Sequence, residues 1–228
     1  MMDRLKVIQT LMQQKGLRNY LEIGVFSGHI LFRVKSTFKI AIDPDFRFDV
    51  LRKIGKTIIN PFNLFNHYFK KTSDDFFEQD AAKVIGEKKI EIALIDGMHE
   101  YAYVQSDVEN VIRYLDNEGV IVLHDCNPIK EESAVSFAEW QARGQKGVWN
   151  GDVWKTILNV RSLRPDLTAF VLDCDYGLGI IVKKPSATLP FSKEDIDRFN
   201  YNDFNANRKE WLNLQPADYL YEFFNLSR

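Results

Sequence analysis

The chain has little of what would place a protein quickly. It carries two cysteines in 228 residues. Cys126 and Cys174 lie far apart and form no CxxC pair, which argues against a structural zinc site and fits reduced thiols in a reducing compartment. No apolar run approaches the roughly 20 residues of a membrane helix. The opening residues Met1-Met2-Asp3-Arg4-Leu5-Lys6 have no apolar core of the signal-peptide type, so a cytoplasmic location without a membrane partner is expected. Charge of one sign is missing too. Thirty basic residues face 32 acidic ones, a formal net of -2, so nothing electrostatic favours a nucleic-acid partner. There is no GxGxxG spacing, no internal repeat and no low-complexity linker.

What is present is an ordinary globular composition, 45% hydrophobic and 27% charged. The length suits one α/β domain with an extra terminal element. Aromatic residues are plentiful, with 17 Phe, 9 Tyr and 4 Trp. That exceeds what a core needs, so some are expected in a pocket or interface.

Leu5, Ile8, Leu11 and Met12 recur at helical spacing and Gly16 ends the run, which predicts an opening amphipathic helix. Apolar strands are predicted at residues 20–23, 38–42, near 67–69, at 90–95 and at 120–123. Helices are expected between them, including one over His29 to Lys35 and one from Tyr101 to Leu115. Strands apolar throughout and separated by helices predict a parallel sheet covered on both faces. Residues 167–172 and 178–182 then read as a hairpin, an antiparallel edge. The expected fold is a Rossmann-like α/β domain over 1–185 with a mostly parallel seven-stranded sheet. Residues 186–228 are expected to be a helical, aromatic extension packed on that domain or at an interface, which leaves a homo-oligomer open.

In an open parallel sheet ligands bind at the carboxyl ends of the strands. Five strand ends here carry polar or glycine signals: Glu22 to Gly28, Asp43, Ser73-Asp74, Asp96-Gly97 and His124-Asp125. Gly24 and Gly28 permit a tight turn and a close backbone approach, although any strand-to-helix turn favours glycine. Asp43 can accept both hydroxyls of a ribose, or can simply start a turn before Pro44. Asp96 and Asp125 stand at neighbouring strand ends, where two carboxylates need a proton or a cation between them. Oxygen ligands suggest a hard cation such as Mg²⁺. His99, three residues beyond Asp96, can take a proton from a substrate, or can be a hydrogen-bonded structural residue. Trp149 and Trp154 suit stacking on an acceptor, or Trp154 belongs to the core.

The ordered segments Tyr20-Leu21-Glu22-Ile23-Gly24, Ala41-Ile42-Asp43, Leu94 to Tyr101, and Gly119 to Asp125 resemble the motifs of class I S-adenosylmethionine (SAM)-dependent methyltransferases. The resemblance covers roughly residues 15–185. It is closest to the small-molecule O-methyltransferases of methyltransferase domain family 24, with a flavour of the macrolide-sugar enzymes of the mycinamicin type. It implies that Glu22, Gly24 and Gly28 line the methionine end of SAM, that Asp43 holds the ribose, and that Ser73 and Asp74 border the adenine. It implies that Asp96 serves both cofactor and catalysis, that His99 is the base, and that Asp96, Asp125 and His124 hold Mg²⁺ or Mn²⁺. The chain departs from that pattern with His124 where a carboxylate is usual and Phe26 where Gly is frequent. The expected reaction is methylation of a hydroxyl on a small-molecule or saccharide acceptor. The alternatives are a nucleotide-dependent oxidoreductase, disfavoured by the missing GxGxxG, and a SAM-binding module without turnover.

Overall fold

In a computed structural model of the chain, which describes residues 2–228, the strands form one sheet of eight in the order β3-β2-β1-β4-β5-β7-β6-β8. The chain divides into two compact units. The first unit comprises Asp3–Gly97 with Ser106–Ile121, and the second Met98–Gln105 with Val122–Arg228.

The first unit opens with helix α1 (Arg4–Lys15). The Asp3 side chain accepts the Lys6 N–H at 2.8 Å and caps it, and Gly16 stops it at φ 73°. Its buried side chains include Leu5, Val7, Ile8, Leu11 and Met12. Strands β1 (Asn19–Ile23) and β2 (Phe38–Ile42) follow, then α2 (Val50–Ile59), β3 (Asn66–Phe69), α3 (Ser73–Gln79), α4 (Ala81–Val84) and β4 (Ile90–Ile95). β1 pairs in parallel with both β2 and β4, and β2 with β3. Leu21, Ile40 and Ala93 stand at matched positions of the three central strands, at most 1% exposed. These strands are buried on both faces, and mostly apolar, because both faces are covered.

Two stretches depart from the local expectation. Residues His29 to Lys35 form successive turns, not a continuous helix. Side chains take the carbonyls that a helix would use. The buried Lys39 ammonium donates to Leu31 O at 3.0 Å and Val34 O at 3.1 Å. Asn60 and Asn63 both donate to Phe32 O. The second correction concerns the chain after α5 (Tyr101–Tyr114), where β5 (Leu115–Leu123) starts at once. Asn117-Glu118-Gly119, residues that favour a turn, lie inside the strand, whose first half is partly exposed.

The second unit continues with α6 (Phe137–Ala142), α7 (Trp154–Leu163), β6 (Thr168–Leu172), β7 (Leu178–Val182), α8 (Lys193–Arg198), α9 (Tyr201–Trp211), β8 (Leu214–Gln215) and α10 (Tyr219–Phe223). β6 and β7 form the expected antiparallel hairpin, closed by Asp175, Tyr176 and Gly177 at φ 47°, 60° and 88°. β8 is an eighth strand beyond the seven expected. It adds in parallel to β6 through two residues only, too few for any periodicity to mark it in the sequence. The tail is integral to this unit. Trp154 is 1% exposed and stacks on Phe204 at 4.7 Å and on Trp211 at 6.0 Å, which makes it core and not a platform for an acceptor.

Candidate active site

Within the first unit, the turn after β1 is set by backbone geometry. Gly24 has φ 85°, and a Cβ there would lie 2.1 Å from Asp96 O. Only glycine fits, because the backbone of Asp96-Gly97 passes directly against it. Gly28 also has positive φ, 74°. Phe26 takes φ 45°, a left-handed conformation costly for an aromatic residue, and is 63% exposed. Asp43, at the end of β2, pins this turn. Its Oδ2 accepts the Phe26 N–H at 2.7 Å and its Oδ1 accepts the Asp45 N–H at 2.7 Å. Each carboxylate oxygen keeps a second lone-pair direction, so Asp43 is oriented for a further pair of donors.

Glu22 lies deeper, 2% exposed, and accepts the Tyr20 hydroxyl at 2.6 Å. Burial pushes its carboxyl up to about 8, and the nearby Asp96 adds to this; Tyr20 and Lys39 oppose it. Lys39 is brought down to about 7 by burial. Asp96 has the α1 residue Arg4 beside it, Nε to Oδ2 at 3.4 Å. Nothing in the opening helix marked Arg4 as a partner of Asp96. Ser73 and Asp74 engage α5. Asp74 accepts from the Ser106 hydroxyl at 2.8 Å and from Asn110 Nδ2 at 3.1 Å. Ser73 bonds to the buried Asp107, whose carboxyl burial raises to about 7.

In the second unit, Asp125 collects three donors at φ 61° and 3% exposure. His99 Nδ1 lies 3.2 Å from its Oδ2, His124 Nδ1 lies 2.9 Å from the same oxygen, and Asn150 Nδ2 donates to Oδ1 at 2.5 Å. His99 Nδ1 is also 2.8 Å from the carbonyl oxygen of Trp149. A carbonyl only accepts, so Nδ1 carries the proton, and the neutral ring keeps its lone pair on Nε2. The Trp149 ring stacks on His99 at 5.0 Å and on Trp140 at 5.1 Å. His124 Nε2 faces Asp175 Oδ1 at 3.5 Å, so both its ring nitrogens meet carboxylates.

The long connection from Asn127 to Trp154 packs onto these residues. Besides Trp149 and Asn150, its Phe137 N–H donates to Glu100 at 2.9 Å. Gly151, at φ 59°, passes so close to His99 O that a Cβ would overlap it at 1.6 Å. This segment walls a cavity of about 310 Å³ whose lining includes Ile129, Lys130, Ser133, Val148, Asn150 and Tyr176. Asn150 and Asp175 carry site contacts that sequence reasoning did not assign. What could point to them is the polar run Asn150-Gly151-Asp152 beside Trp149 and the two acids of the hairpin turn, Asp173 and Asp175. Cys126 is buried, and burial pushes its thiol well above its ordinary range, which leaves it inert.

Residues 21–126, a little under half of the chain, match the family model described as a methyltransferase domain. No curated protein sequence matches the chain. Among solved structures, an O-methyltransferase from Bacillus cereus in complex with SAH superposes with a TM-score of 0.58 at 14% identity, over 81% of this chain and 83% of the other. TomG from Streptomyces achromogenes, an O-methyltransferase involved in tomaymycin synthesis and solved with SAM, gives 0.56 at 13%, over 79% of each chain. The SAH-bound methyltransferase PaMTH1 of Podospora anserina gives 0.51 at 13%, over 81% and 80%. At such identities the likeness establishes a shared fold: the Rossmann-like α/β sheet of these methyltransferases, with its antiparallel C-terminal hairpin.

Proposed function

We propose that the protein is a SAM-dependent O-methyltransferase acting on a hydroxyl of a small-molecule acceptor, with His99 as general base. The observation that carries the base assignment is the Trp149 carbonyl on His99 Nδ1, which leaves Nε2 to receive a proton. SAM supplies an electrophilic methyl group on a sulfonium, and its loss leaves the thioether of SAH. The acceptor hydroxyl gives its proton to His99 Nε2 as its oxygen forms the new C–O bond. Asp125 stabilises the imidazolium so formed, and Asn150 and His124 hold Asp125 in place. Gly24 and Gly28 supply the close-approach turn, Glu22 backs the methionine end as a neutral acid, and Asp43 takes the ribose hydroxyls. Ser73 and Asp74 are assigned to the adenine border and Asp96 to the donor side. The match over residues 21–126 and the SAM- and SAH-bound structural relatives support this reading.

A saccharide acceptor, as in the mycinamicin-type enzymes, is the finer form of the proposal, and residues 1–185 are its catalytic domain. A cation on Asp125 and His124, with Asp96, would have to replace the present partners of both residues. The base mechanism therefore runs on His99 and Asp125, and metal assistance by Mg²⁺ or Mn²⁺ is a separate proposal. With a hydroxylated acceptor and SAM, His99→Ala is expected to lose about 10²- to 10⁴-fold in kcat while SAH affinity holds. Near-normal turnover of that variant would remove the base. Full wild-type activity in EDTA would remove the metal.

A further inference from the structure

Helix α2 is turned inside out. A surface helix of a globular protein buries its apolar stripe and shows its polar side to water. No side chain of α2 is buried. Val50 is 68% exposed, Leu51 77%, Ile54 53% and Ile58 77%. At 3.6 residues per turn these four fall on one arc, and Arg52, Lys53 and Lys56 fall on the other side. Of these, Lys53 rests on the body of the unit, its ammonium 4.1 Å from the centroid of the Tyr68 ring, while Arg52 is exposed and Lys56 half-buried. Ile59, Leu64 and Phe65, all exposed, extend the apolar surface beyond the arc and through the following turn. Contiguous apolar surface of this kind marks an interaction site.

Charge decides between occupants. From Val50 to Ser73 the chain has no Asp or Glu but carries Arg52, Lys53, Lys56, Lys70 and Lys71, in a protein of net charge -2. Asp80 pairs with Lys71 at 2.6 Å, and the others give the patch its sign. A second copy docked through a twofold axis would set these cations against themselves. Single-stranded nucleic acid is held by aromatic stacking, whereas this arc is aliphatic. Aliphatic side chains flanked by Arg and Lys suit a helix lying in the boundary between headgroups and acyl chains.

We propose that α2 and the turn after it dock the protein reversibly onto an anionic lipid surface. The aliphatic arc enters the boundary, and Arg52 and Lys56 reach the lipid phosphates from its flank. This differs from spanning: among the described residues no helix is long and apolar enough to cross a membrane. It amends the expectation of no membrane partner, which rested on the absence of a spanning segment.

The test is flotation of the full chain with two kinds of vesicle, one of phosphatidylcholine alone and one of equal parts phosphatidylcholine and phosphatidylglycerol. The protein is expected to float with the second only and to be released by high salt. The double variants Ile54→Asp/Ile58→Asp and Arg52→Glu/Lys56→Glu are each expected to bind roughly tenfold less or weaker still. All four residues lie outside the core, so melting temperature and SAH binding should hold; Leu51→Gln is a milder variant expected to weaken flotation in the same direction. Equal flotation with both vesicles, flotation with neither, or variants that float like the wild type would overturn the proposal. So would a lipid-free dimer that Ile54→Asp/Ile58→Asp dissociates, which would give the face to a second copy.

Discussion

Asp43 holds a turn in the structure and is the ribose ligand of the proposed function. Its two oxygens already accept the Phe26 and Asp45 amides, so the carboxylate is aimed before any ligand arrives. Replacing it with Ala releases the Phe26 turn and, on the proposed function, removes the acceptor of two ribose hydroxyls. Asp43→Ala is therefore expected to weaken SAH binding by about 1–3 kcal/mol, measured by calorimetry. Unchanged affinity would remove the ribose assignment. Asp125 is a second case. The sequence placed it at a strand end beside Asp96, with His99 and His124 in the same cleft, but nothing foretold that Asn150 would join them on its carboxylate. Those contacts join residues up to 26 positions apart in the chain, which periodicity cannot read.

Elements differ in how far their own residues specify them. α1, β4 and the β6–β7 hairpin were legible because period, cap and turn signals agree within each one. The stretch after β1 was not. Lys39, from the next strand, and the more distant Asn60 and Asn63 claim its carbonyls. The bounds of α7 were not read from the sequence, and the role of its first residue was open between platform and core. The Trp154 stack on Phe204 and Trp211 settles that ambiguity. Trp154→Ala should cost about 3–5 kcal/mol of stability, read by denaturant unfolding. A variant of full stability with impaired acceptor binding would contradict the core role.

Across the whole molecule, the buried acid and base near β1 and β2 couple folding to pH. Glu22 titrates near 8 in the folded protein, against an ordinary 4.5. The folded state holds that proton more tightly, so the contribution of Glu22 to stability is complete below pH 4.5 and is lost as pH rises through 8. Lys39, lowered to about 7, has the opposite sign: its contribution is present above its ordinary 10.5 and is lost as pH falls through 7. Glu22→Gln mimics the neutral acid at every pH. Its melting temperature, followed from pH 4.5 to 8, should fall less steeply than that of the wild type. Parallel profiles would show that Glu22 is already ionised in the fold.

By itself the sequence determined the alternation of strand and helix, the parallel sheet with its antiparallel hairpin, and the set of polar strand ends. These follow from local periods, caps and glycines, which act over a few residues. Tertiary structure alone decided that Gly24 must yield to the Asp96 backbone, that Trp149 selects the tautomer of His99, that β8 completes the sheet edge, and that α2 carries its apolar arc on the outside. Each of these depends on which distant groups meet in space. Burial, hydrogen-bond partners and dielectric are properties of that meeting, and no local pattern encodes them.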